Sequence, residues 1–172
     1  MKIVTTPMCE EIVKLAGISD YVVNKYPDEE DGDLAILLSE SKVKMDSLPI
    51  KLNTSLQVFE SIKKVSKIAQ NELSDEDIKA FFEGYVLSCK YLDSDFKRDV
   101  DVKVYSEFLK DIVLDVGFNI VEDNPQYVIY PDYLKDRVSE KENLVEMPSH
   151  GFVSTNPFER IEARYSILET LI

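Results

Sequence analysis

A single α/β lobe, three layers deep and built on a mostly parallel sheet of short strands, is what this chain predicts. A helical middle and an irregular C-terminal extension follow it. Three observations carry that reading. Short β-branched or apolar runs alternate with helical spacing over the first seventy residues, the pattern of an open α/β sheet. Leu34-Ala35-Ile36-Leu37-Leu38 is unbroken apolar sequence between Asp33 and Ser39, which fits a strand covered on both faces in a parallel sheet. The length of 172 residues supports one core without a disulfide or metal staple. The expected division is an α/β domain over 1–133 and an extension over 134–172.

The elements follow in order. Residues 2–5 form a β-branched strand ending before Pro7. Residues 8–16 carry Met8, Ile12, Val13, Leu15 and Ala16 at helical spacing, with Glu10 and Glu11 early and Gly17 as the stop. Tyr21-Val22-Val23 is a second strand, closed by Tyr26-Pro27, and residues 34–38 are a third. Residues 49–52 make a fourth. Asn53-Thr54-Ser55 caps a helix to about 70, its stripe being Leu56, Phe59, Ile62, Val65 and Ile68. Ser74 opens a long helix to about 92, with Asp77 completing a loose capping box. Another helix spans 104–116 and stops at Gly117. Residues 118–121 and 127–130 are strands around Glu122-Asp123-Asn124-Pro125; a hairpin is one pairing open to them, although the linker is not a two-residue hairpin turn. Residues 134–150 read as polar and irregular. Asn156 caps a last helix with Pro157 in its first position.

Composition narrows the function. Lys and Arg number 20 against 33 Asp and Glu, a net charge of −13. Phosphate contacts need clustered cations, so nucleic acid is not an expected partner, nor is an anionic membrane surface. Most of the acidity falls within 73–133 and reads as a solvated helical face. Cys9 and Cys89 stand alone, without a C-x-x-C pair, as in a reduced cytosolic protein. The first residues show no apolar core of a secretion signal, and no window approaches the ~18 apolar residues of a membrane helix. A cytoplasmic location is the expectation.

Several segments together resemble a known family. Lys2-Ile3-Val4-Thr5-Thr6-Pro7, the helix with Glu10-Glu11-Ile12, and its stop at Leu15-Ala16-Gly17 look like the opening of periplasmic binding proteins for cobalamin and iron-siderophores. Asp20-Tyr21-Val22-Val23 resembles their second strand, and Asp33-Leu34-Ala35-Ile36-Leu37 their Asp-Leu-Val-Ile strand. Leu48-Pro49-Ile50-Lys51-Leu52-Asn53 resembles their Ile-Pro-Val-Val strand, and residues 56–68 the helix after it. The likeness covers about 70 of 172 residues. Those proteins hold ligand between two lobes, and this chain is short for two full ones, so the resemblance implies one lobe and does not carry over transport. In general character the whole chain also resembles cytoplasmic proteins of methanogenic archaea.

Ligands in open parallel sheets bind beyond the carboxyl ends of the strands. Those ends supply the candidate binding residues Thr6, Met8, Tyr26, Ser39, Glu40, Ser41, Asn53 and Thr54. Ordinary caps and loop ends account for the same residues, and weigh more, since N-capping alone explains Asn53 and Thr54. The acidic loop 28–33 lacks the spacing of a calcium loop and reads as solvated. His150, the only histidine, has no nucleophile elbow or positioned acid to work with. Cys9 lies near a helix start, where a thiol pKa falls, but Glu10 and Glu11 oppose that effect, and a packed thiol is favoured. Cys89 reads as core. The tyrosines of 127–133 fit either an interaction surface or a half-buried strand. Arg160 and Arg164, with Glu159 and Glu162 interleaved, read as intrahelical ion pairs rather than an anion clamp. No catalytic constellation, cofactor or metal is expected. The leading reading is a non-catalytic accessory or assembly protein in archaeal metabolism, with a protein partner or a second copy of itself. The alternative is a protein, enzyme or binder, that takes an anionic or tetrapyrrole-like small molecule in the crevice at the strand ends.

Overall fold

The computed structural model describes residues 1–149 and 153–172. The chain divides into two compact units. One comprises Met1–Gly84 with Thr155–Phe158, the other Tyr85–Ser154 with Glu159–Ile172.

The first unit contains β1 (Ile3–Thr5), α1 (Glu10–Leu15), β2 (Tyr21–Val23), a 3₁₀ turn (Pro27–Glu29), β3 (Leu34–Leu38), β4 (Ser47–Ile50), α2 (Ser55–Ile68) and α3 (Asp75–Ala80). Its four strands are all parallel, in the order β2-β1-β3-β4. The apolar run of β3 has Ala35, Ile36 and Leu37 almost wholly excluded from solvent. That burial is why the run needs no polar alternation. Val58, Ile62 and Val65 recur at helical spacing on α2 and are fully buried, as are Ile12 and Val13 of α1. Phe82 and Phe158 close this core edge to face, with centroids 4.9 Å apart.

The second unit contains α4 (Val86–Asp93), β5 (Asp101–Val104), α5 (Glu107–Asp115), β6 (Asn119–Ile120), β7 (Tyr127–Pro131), a 3₁₀ segment (Asp132–Arg137), β8 (Leu144–Met147) and most of α6 (Pro157–Glu169). Its sheet is also four-stranded and parallel, in the order β6-β5-β7-β8. The order is the same as in the first sheet, with two strands to one side of the first and one to the other. Leu109, Ile112 and Val113 of α5 and Ile161, Tyr165 and Leu168 of α6 are buried. Tyr165 stacks on Tyr91 at 4.6 Å and donates to Asp115 Oδ2 at 2.5 Å.

The α/β class and the short parallel strands are as expected, but the sequence accounts for one such sheet and the chain builds two. Several expected elements change with that. The helix expected from 74 to 92 is two, α3 and α4, separated by Gly84 at φ +91°. The helix expected from 104 begins at Glu107, because Asp101–Val104 is a strand pairing with both β6 and β7. The hairpin left open for 118–121 with 127–130 does not form: β6 and β7 each lie parallel to β5, one on either side. The stretch 134–150, read as irregular, includes β8, an edge strand held to β7 over Val128–Pro131. A boundary at 133/134 would cut between those paired strands. Tyr130 is buried within β7, which favours the strand reading of 127–133 over a surface.

Candidate functional site

In an open parallel sheet a crevice opens at the carboxyl ends where neighbouring strands send their connections in opposite directions. The strand orders put that point between β1 and β3 in the first unit and between β5 and β7 in the second.

In the first unit the point is flanked by turns that hold most of the expected residues. β1 runs out at Thr5, whose hydroxyl donates to Ile36 O at 2.8 Å and ties the two central strands together. Thr6 and Met8 follow in the turn, half-buried. The turn is closed by the Cys9 amide donating to Thr6 O at 3.0 Å, and Cys9 itself is fully buried, a packed thiol. β3 ends in an exposed turn of Ser39, Glu40 and Ser41. Its geometry is set by Ser39 N donating to Ile50 O and Ser41 N to Leu38 O, each at 2.9 Å. Ser39 Oγ reaches Glu40 Oε2 at 3.2 Å. These hydroxyls and the carboxylate stand in solvent beside the Thr6 turn.

Thr54 and Asn53 have structural tasks. Thr54 is buried and its hydroxyl accepts from the Gln57 amide at 3.2 Å, the N-cap of α2. Gln57 Oε1 in turn accepts from the Asn53 amide at 2.9 Å. Tyr26 is exposed after β2, its amide donating to Asn24 Oδ1 at 2.8 Å. The acidic loop braces backbone: Asp28 accepts from the amides of Lys44 and Met45, and Asp33 from that of Lys2. Among the described residues no group of His, Cys, Asp or Glu is arranged to hold a metal ion. A shallow pocket lined by Met1, Ile3, Gly17, Ile18, Asp20 and Ile68 opens at the amino end of β1, the wrong end of the sheet for this chemistry. His150 lies outside the described residues.

The second unit gathers residues that sequence reasoning missed or misread. Lys103 and Tyr105 alternate along one strand and its exit, so both side chains share a face. Both engage Glu140: Lys103 Nζ at 2.8 Å and the Tyr105 hydroxyl at 2.5 Å. The hydrogen bond from Lys103, then that from Tyr105, holds the Glu140 carboxyl down at about 2. After β7, Asp132 Oδ2 accepts from the Ser149 amide at 3.1 Å. Burial alone would raise this carboxyl; the Ser149 and Tyr133 donors and the Arg164 charge outweigh it and hold it below its ordinary value.

Arg160 and Arg164 are the largest departure. Both are buried, to 2% and 1% exposure, an uncommon place for an arginine side chain. Glu162, expected to pair with them along the helix, instead accepts from the amides of Leu87 and Ser88 and from the Ser88 hydroxyl, at 2.7–2.9 Å. It therefore caps the first turn of α4, whose N-cap Tyr85 offers no side-chain cap. Arg160 Nη1 reaches Ser154 O at 3.3 Å and Arg164 Nη2 reaches Pro148 O at 3.2 Å. Burial, with Arg160 adding to it, pushes the Arg164 guanidinium down to about 10, and only Asp132 opposes.

No protein-family model matches the chain, and no curated protein matches it in sequence. Solved structures do match in fold. The periplasmic vitamin B12 binding protein BtuF of Vibrio cholerae has a TM-score of 0.52 at 11% identity, over 99% of this chain and 94% of that one. A metal-free periplasmic metal binding protein from candidatus Liberibacter asiaticus has a TM-score of 0.54 at 8% identity, over the whole of both chains. A possible iron-binding, periplasmic solute-binding protein from Staphylococcus epidermidis has a TM-score of 0.50 at 15% identity, over 98% and 97%. The expected likeness to archaeal cytoplasmic proteins gains no support from these three. The likeness to the binding proteins extends beyond the first seventy residues to both units, and the fold of this chain is that of periplasmic solute-binding proteins.

Proposed function

We propose that this protein binds a small solute, using the polar turns at the carboxyl ends of its central strands. The observation that carries the reading is the repeated sheet order. Each unit has a switch point at its central strands, and polar side chains stand at both: Thr6, Ser39, Glu40 and Ser41 in one, Tyr105, Asp132 and Ser149 in the other. The solved proteins of like fold bind vitamin B12, metal or iron by their names, and the solute class in this reading is tetrapyrrole-like or anionic. The two cysteines form no disulfide, which suits a reducing, cytoplasmic compartment and a role in sequestering or delivering a solute there. Binding requires no catalytic group, and this reading assigns none.

The test is a thermal-shift screen of the purified chain against cobalamin, haem, ferric citrate and a panel of small carboxylates, followed by native mass spectrometry of each responder. One solute bound at unit stoichiometry, weakened by a joint Ser39→Ala and Ser41→Ala change, is the expected result. A chain whose melting point moves with none of them overturns the reading.

A further inference from the structure

We propose that Arg164, beside the amino end of α5, forms a carboxylate-binding subsite at the strand ends of the second unit. This deepens the solute-binding reading and rests on it.

Arg164 donates to the carbonyl of Pro148, the residue directly after β8. Its charge acts on Asp132, directly after β7. Its guanidinium lies 5.1 Å from the ring of Phe108, in the first turn of α5, the helix that β5 leads into. One side chain therefore touches the residue after β8 and the first turn of the helix that follows β5, and its charge bears on the residue after β7, one of the two strands of the switch point.

Arg164 Nε is fully buried and has no hydrogen-bond partner. Buried polar groups are nearly always satisfied, and each exception in a native structure calls for an explanation. Among the described residues Arg164 makes no ion pair, and the acid nearest to it in charge, Asp132, is already engaged by Ser149. Arg160, one turn earlier and equally buried, adds a like charge. A buried guanidinium left short of negative charge, with an open N–H, is matched by an incoming oxyanion, and its planar fork fits a carboxylate. The N-cap of α5, Ser106, makes no side-chain cap hydrogen bond, and this nine-residue helix turns its positive end to the same place.

Citrate is the probe, with sodium chloride at matched ionic strength as the reference. Melting points and calorimetric affinities are measured for the wild type, Arg164→Met, Arg164→Lys and Lys63→Met. The last removes an exposed cation of the first unit and controls for general charge. Citrate is expected to raise the melting point of the wild type and Lys63→Met, and to leave Arg164→Met unmoved. Without citrate, Arg164→Met is expected to melt no lower than the wild type, since a buried, incompletely paired charge has been removed. Arg164→Lys keeps the charge but not the fork, and is expected to bind citrate about tenfold more weakly. A wild type indifferent to citrate, or a citrate response that survives in Arg164→Met or is undiminished in Arg164→Lys, overturns the subsite. Neither result touches the solute-binding reading, which stands or falls with the broader screen.

Discussion

Glu140 is the carboxylate most shifted by its surroundings. Its pKa falls from the ordinary 4.5 to about 2, because the Lys103 ammonium and then the Tyr105 hydroxyl donate to its charged form. A depressed carboxylate stabilises the fold above its unfolded value and loses that contribution as the pH falls through its folded value. The window is therefore about pH 4.5 down to 2. Lys103→Met is expected to return Glu140 most of the way to its ordinary value and to remove part of the acid sensitivity in that window. A carboxyl-carbon NMR titration reads this directly; an unchanged Glu140 midpoint in the variant would show the pair to be without effect. Lys103, Tyr105 and Glu140 come from two separate segments, so no local spacing announces them. Thr54 and Asn53 were legible as cap residues because a cap is local. The burial of Arg160 and Arg164 was not, since their interleaved acids are the usual sign of an exposed helix and Glu162 is committed to α4 instead.

Helix ends and strand partners show where local signals suffice and where they fail. Ser74 and Asp77 form a reciprocal capping box on α3, as the Ser-x-x-Asp spacing indicated. Ser74→Ala is expected to lower stability by about 1 kcal/mol, measured by urea unfolding. Gly117 ends the α5 turn at φ +94°, and a Cβ there would lie 2.4 Å from Phe96 O. Gly117→Ala therefore combines backbone strain with a clash against main chain that cannot swing aside. It is expected to cost about 1–3 kcal/mol or more, and an unchanged urea midpoint would refute the geometry. Pairing is a different matter. The segments around β6 and β7 were legible as strands, but not as parallel neighbours of a third. That third, Asp101-Val102-Lys103-Val104, has only Val102 fully buried and carries two charges, so its apolar signal is too thin to read. β8 is an edge strand with Met147 alone buried, and hides for the same reason.

The sequence showed a strand-helix alternation through residue 70 and then lost it, because the second sheet is built from weaker strands. The polar stretch from 134 carries the end of a 3₁₀ segment and the edge strand β8. The boundary that matters runs through a helix: the first residues of α6 belong with the first unit and the rest with the second. Phe158 supplies the edge-to-face partner of Phe82 in the first core. Ile161, Tyr165 and Leu168 fill the second, where Tyr165 also binds Asp115 and stacks on Tyr91. Neither unit is therefore complete in a chain that stops at 154. Removing one large buried aromatic costs about 3–5 kcal/mol, a large part of the roughly 5–15 kcal/mol that stabilises a domain. Loss of all four side chains exceeds that margin. A chain ending at 154 is expected to give no cooperative thermal transition by circular dichroism and no slowly exchanging amides in either sheet. Phe158→Ala alone is expected to shorten amide protection chiefly in β1, β3 and α2, and Tyr165→Ala chiefly in β5, β7 and α5. A shortened chain that melts like the full one, or two point variants with the same exchange pattern, would mean that α6 is not the element on which both cores close.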